Sequence, residues 1–395
     1  MSAHRTGGSR PVLSPLRLTV TARSLVFGGH AIARRLGKTG VPDRSVAETW
    51  ECSDVEGAGS VVADGPLAGV PLRQVVADHP EALMGAGWSG PYFPVLTKFI
   101  DAAGTLPVHL HADDETARRL EGQPHGKTEA WHILDAAPGA TALCGVKEGV
   151  TADRLRAALE AQDFDAVLRR LPVRAGETLY VPGGTPHSFG PDTLVYEIEQ
   201  TSDIQQHAMR WNMEDGSPVG DAEFGANLDM LMRQVDLETR PDFTPGLSIA
   251  VGDGVERVFL CAGPYFALER WRAGTAEPLR HSFATAQILS NAGAPVRVRT
   301  GTWSGELGRA ETLLLPAVCE EVEITGPADV LFGYLPDLDR DVRRPLLDAG
   351  HPPRIIATLG AGARGTETGA ARPARPSVKP HSDRSVTAQA PDQGK

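Results

Sequence analysis

Four residues in the first half of the chain have the types and spacing to hold a metal. His109 and His111 form a His-x-His pair, Glu129 closes a Gly-Lys-Thr-Glu run, and His187 closes a Pro-Gly-Gly-Thr-Pro-His turn. On a strand, residues two apart point to the same face, so the paired histidines converge on one point. Two or three imidazoles with one carboxylate suit zinc or a similar divalent ion and leave a position for water or substrate. Taken singly, each has an ordinary reading: a lone histidine sits at the surface or in a core, and His109 and His111 beside Asp113 and Asp114 describe a polar strand end entering a turn. Taken as a set, they predict one metal site.

Such a site needs strands and tight turns to hold it. Glycine (43 residues) and proline (31) are abundant and aromatic residues few, which suits many short strands joined by turns. Leu16 to Val20, Thr178 to Val181, Leu194 to Ile198, Tyr265 to Trp271 and Val296 to Arg299 read as strands. Between Thr151 and Leu171 the pattern changes: Leu155, Leu159, Phe164, Val167, Leu168 and Leu171 fall mostly at helical spacing, and Pro172 marks a stop. A second helix is predicted over Ala222 to Val235. From Leu247 to Tyr334 the strand-rich texture returns without the metal set, and His281 reads as an ordinary histidine. From 362 to 395 the composition collapses to small, polar and basic residues that cannot offset the entropy of ordering, so this tail is expected to be disordered.

The balance of the chain excludes several classes. A net charge of −11 over 395 residues argues against nucleic acid or an anionic membrane as partner. No apolar run approaches the roughly 20 residues of a membrane span. The polar, glycine-rich N-terminus has no apolar core of a secretory signal. Cys52, Cys144, Cys261 and Cys319 are scattered without Cys-x-x-Cys spacing, which suggests reduced thiols. A soluble, cytoplasmic protein, monomeric or homodimeric, is the expectation.

Beyond the metal set, longer motifs carry a family resemblance. Phe93 to Lys98, Gly126-Lys127-Thr128-Glu129-Ala130-Trp131, Gly145 to Val150 and Val181 to His187, followed by Glu197, Gln200, Ser202 and Asp203, resemble type I phosphomannose isomerases. Phe27-Gly28-Gly29 and Glu48-Thr49-Trp50-Glu51 resemble the opening of that family, and the similarity covers roughly residues 14 to 335. It implies a mostly β, zinc-dependent double cupin, two jelly-roll barrels with one zinc per chain. The metal-binding cupin would span 14–240 with a helical insertion at 151–171, and a second cupin without metal would span 241–338. His111, Glu129 and His187 occupy the family's ligand positions, and His109, where other members carry glutamine or lysine, is the candidate fourth ligand. Lys127 is placed to contact substrate beside the metal, Lys98 matches the lysine near the sugar phosphate, and Asp203 falls in an active-site element. One position departs: the arginine expected four residues after the aspartate is His207. Either His207 faces the site, or Arg210 reaches the same space across a bulged strand. His132, where tyrosine is commoner, reads as core variation.

The chemistry implied is aldose–ketose isomerisation of mannose 6-phosphate and fructose 6-phosphate. Removing the weakly acidic C2 proton requires stabilising an enediolate, which a metal and Lys127 would do, with a base near neutral pKa carrying the proton between C2 and C1. Two alternatives stand beside it: a cupin isomerase or epimerase for a different sugar or sugar phosphate, and a non-catalytic, metal-dependent sugar-binding cupin. Oxygen chemistry on iron suits the ligand types but not the motifs outside them.

Overall fold

The computed structural model describes residues 13–361 except 253, 275–277 and 302; the tail expected to be disordered lies outside the described residues. The chain is mostly β. In its first half the strands are β1 (Thr21–Arg23), β2 (Glu48–Cys52), β3 (Val95–Ala102), β4 (His109–Leu110), β5 (Glu129–Ala136), β6 (Thr141–Val146), β7 (Leu168–Pro172), β8 (Thr178–Val181), β9 (His187–Phe189), β10 (Thr193–Gln200) and β11 (Gln206–His207). They form a six-stranded sheet in the order β1-β2-β3-β10-β5-β8, faced by a five-stranded sheet in the order β11-β4-β9-β6-β7.

Both central strands of the larger sheet, VLTKFIDA and TLVYEIEQ, are buried along their whole length. A strand covered on both faces is normally apolar throughout; here one face is apolar and the other is charged. Register explains the division. Glu197 pairs with Lys98 on β3 and Trp131 on β5, and Glu199 pairs with Glu129, so Lys98, Glu197, Glu199, Glu129 and Trp131 share the face turned towards the smaller sheet. Phe99, Tyr196 and Ile198 point the other way, into an apolar cluster that includes Leu260, Phe266, Leu268, Ile288 and Leu331 from the second half.

The second half contributes β12 (Leu247–Ala250), β13 (Val255–Ala262), β14 (Ala267–Ala273), β15 (Leu279–Ser282), β16 (Gln287–Asn291), β17 (Val296–Thr300), β18 (Trp303–Leu307), β19 (Thr312–Leu315), β20 (Glu321–Thr325) and β21 (Ala328–Tyr334). Their sheets run β12-β13-β14-β21-β16-β19 and β15-β20-β17-β18, the first repeating the zigzag of the larger N-terminal sheet. Polar contacts tie the halves together: Tyr196 Oη lies 2.9 Å from Ser290 Oγ, and Tyr265 Oη donates to Asp114 Oδ2 at 3.0 Å. His132 is core, with its ring nitrogens 2.9 Å from Thr178 Oγ1 and 2.9 Å from Arg270 Nη1.

Three element boundaries differ from expectation. The helix starting after Thr151, whose Oγ1 accepts from Arg154 N, ends at Glu160, and Leu168 and Leu171 belong to β7. A short apolar run fits either period, and Gln162, at φ 58°, breaks the helix before the run is complete. Leu16 and Leu18 make only isolated bridges rather than a strand. Past residue 338, short helical turns continue to Leu359 and bury Val342, Leu346, Ile356 and Leu359 in the second core, which extends the ordered chain beyond the expected boundary. The helix Asp221–Gln234 forms as expected and packs Phe224, Leu228 and Leu231 against Leu155 and Leu159. Among the described residues no helix is long and apolar enough to cross a membrane.

Candidate metal centre

Two glycine turns clasp the backbone that carries the first ligands. A Cβ on Gly126 would lie 2.3 Å from the carbonyl oxygen of Ala112, and one on Gly183 would lie 2.8 Å from Asp113 Cα, so only glycine permits either approach. The clasp is hydrogen-bonded on both sides: Lys127 N donates to Ala112 O at 3.0 Å and Gly184 N to His111 O at 2.6 Å. Asp114 Oδ1 accepts from Gly126 N at 2.8 Å, and Gln200 Oε1 accepts from Thr128 N at 2.9 Å. The Gly-Lys-Thr-Glu and Pro-Gly-Gly-Thr-Pro-His motifs are therefore the mechanical means by which Glu129 and His187 are brought to His109 and His111.

The four side chains converge in the interior. His109 Nε2 lies 3.0 Å from His187 Nε2, Glu129 Oε2 lies 3.0 Å from His111 Nε2, and Glu129 Oε1 lies 3.1 Å from His187 Nε2. Each Nδ1 faces a backbone carbonyl: Pro107 O at 2.8 Å for His109, Ile204 O at 2.6 Å for His111 and Thr185 O at 2.8 Å for His187. A carbonyl oxygen only accepts, so each Nδ1 carries a proton and each ring turns its Nε2 inward. Burial, reinforced by the neighbouring imidazoles, lowers the pKa of His109 well below its usual value; burial and then Lys127 pull that of His111 down to about 3. Three imidazole lone pairs and a carboxylate crowded together repel one another unless a cation lies among them, and His111 Nε2 makes no hydrogen bond. The donor set fits a metal, and these residues would hold it.

Beside the ligands lies an ionic network. Lys98 is 3.0 Å from Glu197 Oε2 and 2.9 Å from Glu199 Oε1, and Lys127 is 3.0 Å from Glu199 Oε2 and 3.5 Å from Glu129 Oε2. Burial alone would lower both lysine pKa values, but these carboxylates outweigh it and raise them, so both ammonium groups stay charged. Glu197 Oε1 accepts from Trp131 Nε1 at 3.1 Å, and the Trp131 ring centroid stands 5.2 Å from that of His187.

The structure separates the two candidates for the absent arginine. His207 pairs directly with His109 between β11 and β4, and their ring centroids are 5.8 Å apart, so His207 stands beside the ligands. Arg210 does not reach the site: its Nη1 donates to Asp221 Oδ1 at 2.9 Å and its guanidinium lies 4.0 Å from the Phe224 ring, against the outside of the first turn of the helix Asp221–Gln234. The expectation of a bulge carrying Arg210 inward is corrected: Ala208 N donates to Val108 O in the same register that pairs His207 with His109, without a bulge, and Asp221 and Phe224 hold the Arg210 side chain away. Asp203 lines the same cavity as Lys98, Lys127, His109 and Glu129.

Two residues of this charged face escaped the sequence reading. Glu199, two residues from Glu197 in an otherwise apolar strand, was legible as a second inward carboxylate. Arg23, on a three-residue strand, also lines the cavity and has no motif around it.

Comparison with known proteins places this geometry. Residues 16–132, which include His109, His111 and Glu129, match the model of the phosphomannose isomerase type I catalytic domain. The chain is 28% identical over 323 residues to a mannose-6-phosphate isomerase of Streptococcus mutans, covering 81% of this chain and 98% of the relative. A crystal structure of mannose 6-phosphate isomerase from Bacillus subtilis superposes with a TM-score of 0.73 at 25% identity, over 82% of this chain and all of that one (100%). A mannose 6-phosphate isomerase structure bound with zinc and yttrium shares the fold, with a TM-score of 0.63 at 15% identity over 82% of this chain and 100% of that one.

Proposed function

We propose that the chain, which resembles type I phosphomannose isomerases, interconverts mannose 6-phosphate and fructose 6-phosphate on the charged face of its first half. In this reading residues 14–240 form the metal-binding cupin and 241–338 a second cupin that holds no metal. His109, His111, Glu129 and His187 hold one zinc ion per chain. Zinc, when bound, polarises the sugar carbonyl and stabilises negative charge developing on adjacent oxygens. The observation that carries the reading is the convergence of three inward Nε2 lone pairs and the Glu129 carboxylate beside a charged lysine.

The residues around the ligands divide the remaining work. Lys127, held by Glu199 and Glu129, keeps its positive charge next to the reacting oxygens and stabilises the enediolate at no cost in reorganisation. Lys98, which the family resemblance puts near the sugar phosphate, is held by Glu197 and Glu199, and this reading assigns it with Glu197 to the sugar hydroxyls of the same cavity instead. His207 takes the proton from C2 and returns it at C1; burial lowers its pKa against the opposing pull of Glu214 and Asp203, so it is neutral at pH 7 and able to accept. Trp131, Phe189 and Ile100 line the same space and limit water.

The test is conversion of mannose 6-phosphate by zinc-loaded protein in deuterated water, followed by NMR. Formation of fructose 6-phosphate with solvent deuterium at C1 supports proton transfer through an enediolate. Absence of conversion while another sugar phosphate is turned over would replace this substrate.

A further inference from the structure

We infer that Arg23 receives the phosphate of the substrate and sets the preference for a sugar phosphate over a free sugar; the inference rests on the isomerase reading above. A phosphate dianion needs a cation with donors to spare, and three cations line the cavity: Arg23, Lys98 and Lys127. Both lysines are committed. Lys98 divides its ammonium between Glu197 and Glu199, and Lys127 between Glu199 and Glu129, with lysine side chains only 3% and 6% exposed. Drawing either one to a phosphate would strand buried carboxylates without a partner, which is strongly unfavourable.

Arg23 differs in each respect. Its side chain is 30% exposed, and only Nη1 is engaged, donating to Asp203 Oδ2 at 3.2 Å. A half-exposed pair of this kind contributes little and rearranges readily. A guanidinium has five donors in a planar fork that matches two phosphate oxygens, so Nε and Nη2 remain for a ligand. The Trp50 ring centroid lies 5.2 Å from its Cζ, beside the fork.

Placement on the sheet supplies the second argument. Arg23 pairs with Glu48 and Glu48 with Ile100, so Arg23 shares the inward face with Ile100 and, two residues along β3, with Lys98. In the order β1-β2-β3-β10-β5, Lys98 stands midway between Arg23 and Glu129. Each side is two strand spacings, about 10 Å between backbones, before side chains reach inward across a curved sheet. The reacting end of the sugar sits at Glu129 and the histidines, its middle faces Lys98 and Glu197, and the phosphate on the far carbon meets Arg23. The segment from Asp203 to His207 links the two ends, since Asp203 touches Arg23 and His207 pairs with His109.

The experiment compares zinc-loaded wild-type protein with Arg23→Gln and Arg23→Lys. Kinetics are measured on mannose 6-phosphate and free mannose, with inorganic phosphate as inhibitor, and zinc content and thermal midpoint are recorded for each. Loss of a charge-assisted contact predicts that Arg23→Gln raises KM for mannose 6-phosphate and weakens phosphate inhibition by roughly 10- to 100-fold. kcat should change far less, and the preference for the phosphorylated sugar should fall in proportion. Arg23→Lys, which keeps the charge but not the fork, should recover part of the KM. An active wild type whose Arg23→Gln variant, folded and zinc-replete, keeps its KM and phosphate inhibition would overturn the assignment alone. If Arg23→Gln does not fold, Arg23→Lys decides: unchanged KM and phosphate inhibition overturn the assignment. A wild type with no action on any sugar phosphate would overturn the isomerase reading and the assignment with it.

Discussion

The two halves of the molecule use the same strand order for different ends. In the first half the inward face of β3, β10 and β5 carries Lys98, Glu197, Glu199, Glu129 and Trp131. In the second, the corresponding face of β14, β21 and β16 carries Trp271, Val330, Phe332 and Leu289, and Val298, Leu307, Val322 and Ile324 from the facing sheet fill the space. The second half does hold a buried carboxylate, Glu269, but it is fully engaged by Arg257 at 2.6 and 2.8 Å, by Trp271 Nε1 at 2.8 Å and by the Tyr334 hydroxyl. The first half instead gathers lone pairs and carboxylates that need a cation. The frame thus supplies positions, and the residues on one face decide whether they make a core or a site.

The comparison can be broken most severely at Glu129. Glu129→Gln removes a carboxylate that touches both His111 and His187, and it should lower kcat by about 1,000-fold or more and release the metal, read together by assay and metal content. The matching blow to the second half falls on Phe332, fully buried and packed against Trp271 and His281. Phe332→Ala should cost about 3–5 kcal/mol in stability by denaturant titration while folded protein keeps its kcat. Loss of kcat in the folded fraction would show that the second core does more than support the first.

The second half should also respond to acid through His281. Burial, partly opposed by Glu269, pulls its pKa from 6.5 to about 4. Between those values the unfolded chain binds a proton that the folded chain does not, so stability is retained above pH 6.5 and lost as pH falls towards 4. The loss amounts to about 3 kcal/mol. Denaturant titration across this window should show the slope in wild type and its reduction in His281→Gln. The smallest effect is expected at Arg210, whose partners lie outside the site: Arg210→Ala should leave kcat/KM within about twofold and cost no more than about 1 kcal/mol. A tenfold loss of activity would return Arg210 to the reaction.

What the sequence made legible follows from how local each feature is. The ligand set was readable because His-x-His on a strand and two glycine turns are short-range patterns with a mechanical reason, seen here as the clasp of Gly126 and Gly183 on Ala112 and Asp113. Glu197 and Glu199 were readable in principle from their spacing of two. Arg23 was not, because its place depends on a three-residue edge strand joining a sheet assembled from distant segments. The directions of His207 and Arg210 turned on the register of a two-residue strand and on the partners Asp221 and Phe224 beyond it. The helix boundary after Glu160 and the extension past residue 338 were lost for a related reason: short apolar runs fit helix and strand alike until a tertiary partner chooses.

The central claim is that one metal among His109, His111, Glu129 and His187 makes the first half an isomerase site. It is tested most directly by stripping the protein with a chelator, titrating zinc back, and measuring bound zinc and mannose 6-phosphate conversion on the same samples. Activity that rises with occupancy and levels off at one zinc per chain is the result expected. Full activity in metal-free protein, or zinc binding undiminished in Glu129→Gln, would contradict it.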